Sequence, residues 1–161
     1  ARPMASGNLR LRLAFCLWYL VLCTPANALR KLDPATMREL VMLNDKVVLL
    51  MHEAGCVKAE AFSPTLDEIA EAVPQLGYGR VDVSKPGFEK WRIEPGDPPA
   101  LRAFFRNAPP HLRILEYVGP PTRDAVEAWC RAVTAWDGSG TAPEGFTVGE
   151  SILRDTGKDE L

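Results

Sequence analysis

The sequence is poor in the residues that most enzymes use for acid–base and metal chemistry. It has 161 residues but only two histidines, His52 and His111. No group of histidine, cysteine and carboxylate residues has the spacing of a metal site, and no glycine-rich loop has the spacing of a phosphate site. We therefore predict no metal and no cofactor, and the residues do not nominate a nucleophile–base–acid set.

Positive charge is also scarce. Lysine and arginine number 19 against 21 aspartates and glutamates, which gives a formal net charge of −2. Three of the arginines fall within residues 1–28, so the remaining 133 residues carry 16 basic and 21 acidic side chains, or −5. An acidic domain without a basic stripe argues against nucleic acid as a partner.

Long apolar runs are absent except for one near the start of the chain. Residues 13–23 follow two arginines and precede Ala26 and Ala28. A basic region, a short apolar run and a small-x-small ending are typical of a signal peptide, here cleaved after Ala28, with residues 1–3 as an upstream extension. An uncleaved anchor is the alternative, which the short run disfavours. No later stretch is apolar enough to cross a membrane, so we predict no membrane insertion after cleavage.

The last residues of the sequence match a retrieval signal. The last four residues are Lys158, Asp159, Glu160 and Leu161, the signal that returns soluble proteins to the endoplasmic reticulum. Together with a signal peptide it predicts residence in the lumen of the endoplasmic reticulum and binding to the KDEL receptor. A merely acidic ending is the alternative. Small residues and proline prevail from position 137, so residues 137–161 are predicted to form a flexible tail.

Cysteine is scarce in the part that remains after cleavage. Of four cysteines, Cys16 and Cys23 lie in the predicted signal peptide, which leaves Cys56 and Cys130. Cys130 lies on the apolar face of a predicted helix, where cysteine behaves as a small core residue. Cys56 is then a lone thiol in an oxidising compartment.

The stretch around Cys56 predicts a strand, a turn and a helix. Residues 47–51 form a short apolar run, as in a strand that is buried on both faces. A break at Gly55 precedes Cys56, and an apolar face with helical spacing follows, bent by Pro64. A thiol at the start of a helix lies where backbone N–H groups and the helix dipole favour the thiolate. For His52, a structural role is favoured over tuning of this thiol.

The rest of the chain predicts further helices and strands in alternation. Helix starts are indicated at Asp33 with Pro34, at Ser84 for a short helix to Trp91, and at Thr122. Strands are predicted at residues 80–83, 101–105 and 111–118.

Together these features resemble the thioredoxin superfamily, and most of all the thioredoxin domains of protein disulfide isomerases. Those domains have an apolar strand, then Trp-Cys-x-x-Cys, then a proline five residues after the second cysteine. Residues 56–59 occupy the four motif positions, Pro64 matches the proline, and Pro99 matches the family's cis-proline. The resemblance covers residues 29–136 and implies an α/β thioredoxin fold: a central mixed sheet of about four strands with helices on both faces.

The site departs from the family pattern at three positions. Ala59 replaces the second cysteine, Leu50 replaces an acidic proton acceptor, and Gly55 replaces the tryptophan. Because the second cysteine releases a mixed disulfide, dithiol oxidase and reductase activity is predicted to be absent or weak. A lone Cys56 can still isomerise a disulfide slowly or hold a client protein covalently. The layout is similar to the anterior-gradient proteins, which carry Cys-x-x-Ser.

The resemblance implies one of two functions. In the first, Cys56 acts as a catalytic monothiol on unfolded or disulfide-bonded secretory proteins. The substrate-binding positions would be Gly55, Val57, Lys58, Pro98 and Pro99. Pro98 has no N–H, so it would offer an extended client one backbone hydrogen bond fewer than the usual pair. In the alternative, a non-redox chaperone or peptide-binding module uses the cleft beside Pro99, and Cys56 is incidental.

Overall fold

A computed structural model describes residues 29–89, 99–109, 113–139, 142 and 146–148. These residues form the following elements, in chain order: β1 (Arg30–Leu32), α1 (Pro34–Leu43), β2 (Lys46–His52), α2 (Val57–Ala72), β3 (Gly77–Asp82), β4 (Ala100–Phe105), β5 (Ile114–Tyr117), α3 (Arg123–Ala135) and β6 (Phe146–Val148). The strands make one sheet in the order β1-β3-β2-β4-β5-β6. β1, β3 and β2 are parallel, whereas β4, β5 and β6 pair antiparallel to their neighbours. The predicted α/β class and mixed sheet are confirmed.

The described sheet has six strands where about four were predicted. The added strands, β1 and β6, have three residues each and lie at opposite edges. Three residues are too few to show an alternating pattern, which is why the sequence did not reveal them. β6 pairs with the last three residues of β5. The sheet therefore extends past residue 136, into the segment that the sequence assigned to the flexible tail.

Helices cover both faces of the sheet, as predicted. Alternate residues of β2 point to opposite faces, and Val48 and Leu50 pack beneath α2 and α3. Leu49 and Met51 point the other way, toward α1. Both sets are buried, which explains the uninterrupted apolar run. Cys130 lies on the inner face of α3, as predicted, where Val126, Trp129 and Val133 are also buried and Ala125 is partly buried.

The start of α1 was predicted correctly. Asp33 is its N-cap and Pro34 its first residue. The Asp33 carboxylate accepts from the Thr36 N–H at 2.8 Å, and the Thr36 hydroxyl accepts from the Asp33 N–H at 2.9 Å. This reciprocal capping box satisfies N–H groups that the first turn of a helix leaves without partners, and it lowers the pKa of Asp33.

The segment after β3 differs from the prediction. Residues 83–87 form turns where a helix from Ser84 was expected, and Gly87 has a φ of 92°. The Asp82 carboxylate accepts from the backbone N–H of Ser84 at 3.2 Å and from its hydroxyl at 2.5 Å. This local turn uses the serine that was expected to cap a helix. Phe88 is buried, and Trp91, where the predicted helix was to end, lies outside the described residues.

Candidate active site around Cys56

Cys56 lies where a tight turn meets α2. Its N–H donates to the Glu53 carbonyl at 3.2 Å, which closes a β-turn. Gly55, the third residue of that turn, has a φ of 75°, as a type II turn requires; other residues adopt this conformation at a cost of about 1–2 kcal/mol. Cys56 is the N-cap of α2, and its carbonyl accepts from the Glu60 N–H at 3.1 Å. The predicted strand, turn and helix are confirmed in this order.

The two described cysteines differ in access. Cys56 is half-buried and free, whereas Cys130 is free and fully buried. Burial raises the pKa of the Cys130 thiol to about 12. Because the thiolate is the nucleophile, both burial and this raised pKa disfavour reaction at Cys130. Cys56 is therefore the described cysteine that a partner can reach.

An open surface surrounds Cys56. The Val57 side chain is 78% exposed, and Lys58 and Glu53 are also exposed. A side chain built at Gly55 would meet no atom of the described residues within 4 Å, so none of these residues covers the turn on that side. The thiol can therefore be approached by a macromolecule as well as by a small thiol.

Two of the three positions that depart from the family pattern, Ala59 and Leu50, lie in the core. Ala59 is on the inner face of α2 and Leu50 is on β2, and both belong to the buried cluster beneath α2 and α3. The position that would carry the resolving sulfur thus holds a methyl group. The position that would carry the proton acceptor holds an apolar side chain. The predicted loss of dithiol chemistry rests on these two side chains.

Pro99 lies at the same end of the sheet as Cys56. It is half-buried and directly precedes Ala100, which pairs with Met51 of β2. The strands are antiparallel, so the start of β4 meets the end of β2, from which the chain turns to Cys56. Pro98 lies outside the described residues, and the cis bond before Pro99 stays a prediction, as does the role of both prolines in substrate binding.

A buried arginine beneath the site was missed in the sequence. Arg80 on β3 is 7% exposed and lies beside Leu50 in the sheet. Its guanidinium has three side-chain partners. Nε donates to His52 Nε2 at 2.9 Å, Nη1 donates to Ser63 Oγ at 3.1 Å, and Nη2 donates to Glu60 Oε1. The signal was an arginine at a position predicted to lie in an inner strand.

The hydrogen bonds of His52 define its tautomer. Nδ1 lies 2.8 Å from the Glu53 carbonyl, which can only accept, so Nδ1 carries the hydrogen. Nε2 faces the Nε–H of Arg80, which can only donate, so Nε2 accepts. Both ring nitrogens therefore have partners, which is consistent with the structural role predicted for His52. The hydrogen bond from Arg80 also lowers the pKa of the exposed Glu60 carboxyl.

The described residues offer neither a metal site nor a membrane span. They contain no group of three or more histidine, cysteine or acidic side chains arranged to hold a metal ion. None of their helices has the length and apolar character that crossing a membrane requires.

Known proteins share this architecture. No protein-family model matches the chain, and no curated protein matches it. Among solved structures, the first thioredoxin domain of mouse protein disulfide-isomerase A4 superposes with a TM-score of 0.57 at 20% identity, over 74% of this chain and 83% of that domain. The chain has the thioredoxin fold.

Two further thioredoxin-fold structures agree. The J-Trx1 fragment of ERdj5 gives a TM-score of 0.55 at 18% identity and covers 67% of this chain. The zinc-bound form of human ERp44 gives 0.51 at 20% identity and covers 64%. This chain spans 51% of the ERdj5 fragment and 31% of ERp44. At these identities the likeness establishes the thioredoxin fold, and the similarity to the anterior-gradient proteins stays a prediction.

Proposed function

We propose that this chain is a monothiol thioredoxin-fold protein that forms mixed disulfides with folding secretory proteins through Cys56. One observation carries the proposal. Cys56 is a half-buried thiol at the start of α2 beside an open surface, and the position one helical turn along holds Ala59 in place of a second sulfur. A site built this way can make a covalent bond to a client but cannot release it unaided.

The chemistry is thiol–disulfide exchange. The Cys56 thiolate attacks one sulfur of a client disulfide, the S–S bond breaks, and the other client sulfur leaves as a thiolate that takes up a proton. A client thiolate then attacks the mixed disulfide, forms a new client disulfide and returns the electron pair to Cys56. The disulfide count of the client is unchanged, so the reaction is isomerisation and needs no external oxidant. If no client thiolate attacks, the client stays bound.

Neighbouring residues support contact with an extended client. Val57 offers exposed apolar surface next to the sulfur, and Pro99 lies at the same end of the sheet. Gly55 leaves room for a bulky client, and Lys58 adds an exposed positive charge. Clients are then held by apolar contact first and by the disulfide second.

The proposed compartment is the lumen of the endoplasmic reticulum. Residues 1–28 and 158–161 supply its two sequence signals, and both lie outside the described residues. Three of the structures that share the fold, those of ERdj5, ERp44 and protein disulfide-isomerase A4, are of endoplasmic-reticulum proteins, which supports this compartment. Within that lumen the clients would be unfolded or disulfide-bonded secretory proteins, and retention would use the KDEL receptor.

The deciding experiment traps the covalent adducts. Cells expressing the full chain are quenched rapidly in acid, alkylated, and analysed on non-reducing gels. We expect thiol-sensitive, high-mass species with the unaltered protein and with Cys130→Ala, which serves as the matched control. Cys56→Ser should give none. Equal adducts with Cys56→Ser would refute the proposal.

A second candidate, a non-redox chaperone, is favoured by the open surface alone. The exposed Val57 and the uncovered turn at Gly55 do not depend on sulfur. Suppression of client aggregation by Cys56→Ser protein, equal to that by the unaltered protein, would establish this function. Loss of suppression on changing Val57→Ser would place it at the same surface.

A further inference from the structure

Arg80 touches the chain on both sides of Cys56. His52 is four residues before the cysteine and Glu60 is four residues after it, and both accept a hydrogen bond from the same guanidinium. Ser63, one turn further along α2, is the third acceptor. The side chain of Arg80 thus joins the end of β2 to the first two turns of α2. Between these two attachments lies the segment 53–59 that carries the thiol.

The backbone reinforces both attachments. The His52 carbonyl accepts from the Val83 N–H at 2.8 Å, so the end of β2 is also held by the segment after β3. The Cys56 carbonyl accepts from Glu60 N–H, so a shift of Glu60 is transmitted to the cysteine. Leu50, opposite Arg80 in the sheet, offers no polar atom. The guanidinium therefore reaches along β2 to His52 and up to α2.

We propose that Arg80 is a positioning residue for Cys56, which clamps residues 52 and 60 so that the sulfur stays at the amino terminus of α2. The proposal rests on the proposed function in one respect, namely that Cys56 is the reacting thiol. A buried guanidinium whose partners lie on two elements resists their separation, because each lost bond leaves one of its own N–H groups without that partner. The clamp also ties the tautomer of His52 to the geometry of the thiol segment.

The same sheet provides a matched control. Arg102 on β4 is 4% exposed and lies on the opposite face, in an ion pair with Glu116 at 2.9 Å. Its other described side-chain contact is with the Met51 sulfur at 3.7 Å. Both arginines are buried, ion-paired and located on inner strands. Only Arg80 contacts residues on both sides of Cys56, among the contacts described.

The experiment compares Arg80→Met with Arg102→Met in the full chain. Three measurements are made: amide hydrogen exchange of residues 53–60 relative to β2, the rate of Cys56 alkylation by iodoacetamide from peptide mapping, and the imidazole nitrogen signals of His52. We expect Arg80→Met to speed exchange of 53–60 about tenfold relative to β2. It should also change the Cys56 rate about threefold or more and lose the Nδ1–H signature of His52. Arg102→Met should change none of these relative to β2, and Arg80→Lys should lie between.

Equal responses of the two variants would overturn the proposal, because both would then act only through global stability. If Arg80→Met does not fold, Glu60→Ala combined with Ser63→Ala removes the two acceptors on α2 and hence two of the three hydrogen bonds of the guanidinium. An unchanged Cys56 rate and unchanged exchange in that folded variant would also overturn it. The two proposals fail separately. Absence of client adducts with the unaltered protein refutes the function, whereas the exchange and nitrogen signals test the clamp alone.

Discussion

Cys56 and Cys130 lie on two helices that pack on the same face of one sheet, yet they have opposite chemical settings. Cys56 caps the start of α2 at an open turn, whereas Cys130 lies mid-way along α3, fully buried beneath it. Residue type and compartment are the same for both. The difference teaches that the place within the helix decides whether a thiol is a reagent or a core side chain.

The sharpest way to break this comparison is to label both thiols. With iodoacetamide at pH 8, we expect Cys56 to react about a thousandfold or more faster than Cys130. The Cys130 thiol has a pKa of about 12 and is shielded by the core, so its thiolate fraction is minute. Peptide mapping of the folded protein gives the two rates, and labelling in denaturant serves as the control. Comparable rates in the folded protein would contradict the comparison.

A second test introduces a buried thiol at position 59, one helical turn from Cys56. The unaltered protein should not reduce insulin above background, because position 59 supplies no resolving sulfur. Ala59→Cys should give measurable activity that stays about tenfold or more below a Cys-x-x-Cys control domain. The new sulfur sits at a fully buried position, with Leu50 in place of an acid. Turnover by the unaltered protein close to that of the control domain would show that the loss of dithiol chemistry was wrongly inferred.

The turn that exposes Cys56 can be tested through Gly55. Gly55→Ala should lower the free energy of unfolding by about 1–2 kcal/mol, because φ is positive and the added methyl group would make no packing contact with any described residue within 4 Å. It should also alter the alkylation rate of Cys56. Gly138→Ala is the matched control: φ there is 82°, and the added methyl group would meet the Ala108 side chain. That variant should lose stability but keep the Cys56 rate, as followed by urea unfolding and mapping.

The smallest expected effect concerns the buried thiol and pH. Burial raises the pKa of Cys130 from its ordinary value of 9.0 to about 12 on folding, so the folded state holds the proton more tightly. Its stabilising effect is complete below pH 9 and is lost as pH rises toward 12. Between pH 8 and pH 10 the free energy of unfolding should therefore fall by about 1.4 kcal/mol from this group. Cys130→Ala should show a correspondingly smaller decline in unfolding free energy between these two pH values. An identical decline would show that Cys130 does not titrate this way.

Local sequence patterns were enough to predict the main strands and helices. The apolar run of β2, the capped start of α1 and the inner face of α3 each depend on residues close together in the chain. The position of Cys56 at the start of α2 followed from the same kind of signal. Where elements are long and periodic, sequence and structure agree.

The features that were not predicted depend mostly on contacts between residues far apart in the chain. Arg80 is separated from its partners His52, Glu60 and Ser63 by 28, 20 and 17 positions, and no spacing rule links them. The edge strands were too short to show a period, and Ser84 bonds to Asp82 where a helix cap was expected. The clamp beneath the thiol is therefore a tertiary feature that only the fold brings together.

If Cys56 holds clients covalently, as proposed, the central place of β2 in the sheet has a mechanical consequence. A client tethered at Cys56 transmits any pull into the turn and from there into β2. That strand is hydrogen-bonded along its length to β3 on one side and to β4 on the other. An edge strand under load can peel away one bond at a time, whereas load on the middle strand is shared by both neighbours. The thiol is thus connected to a strand whose separation from the sheet requires breaking the hydrogen bonds to two neighbouring strands.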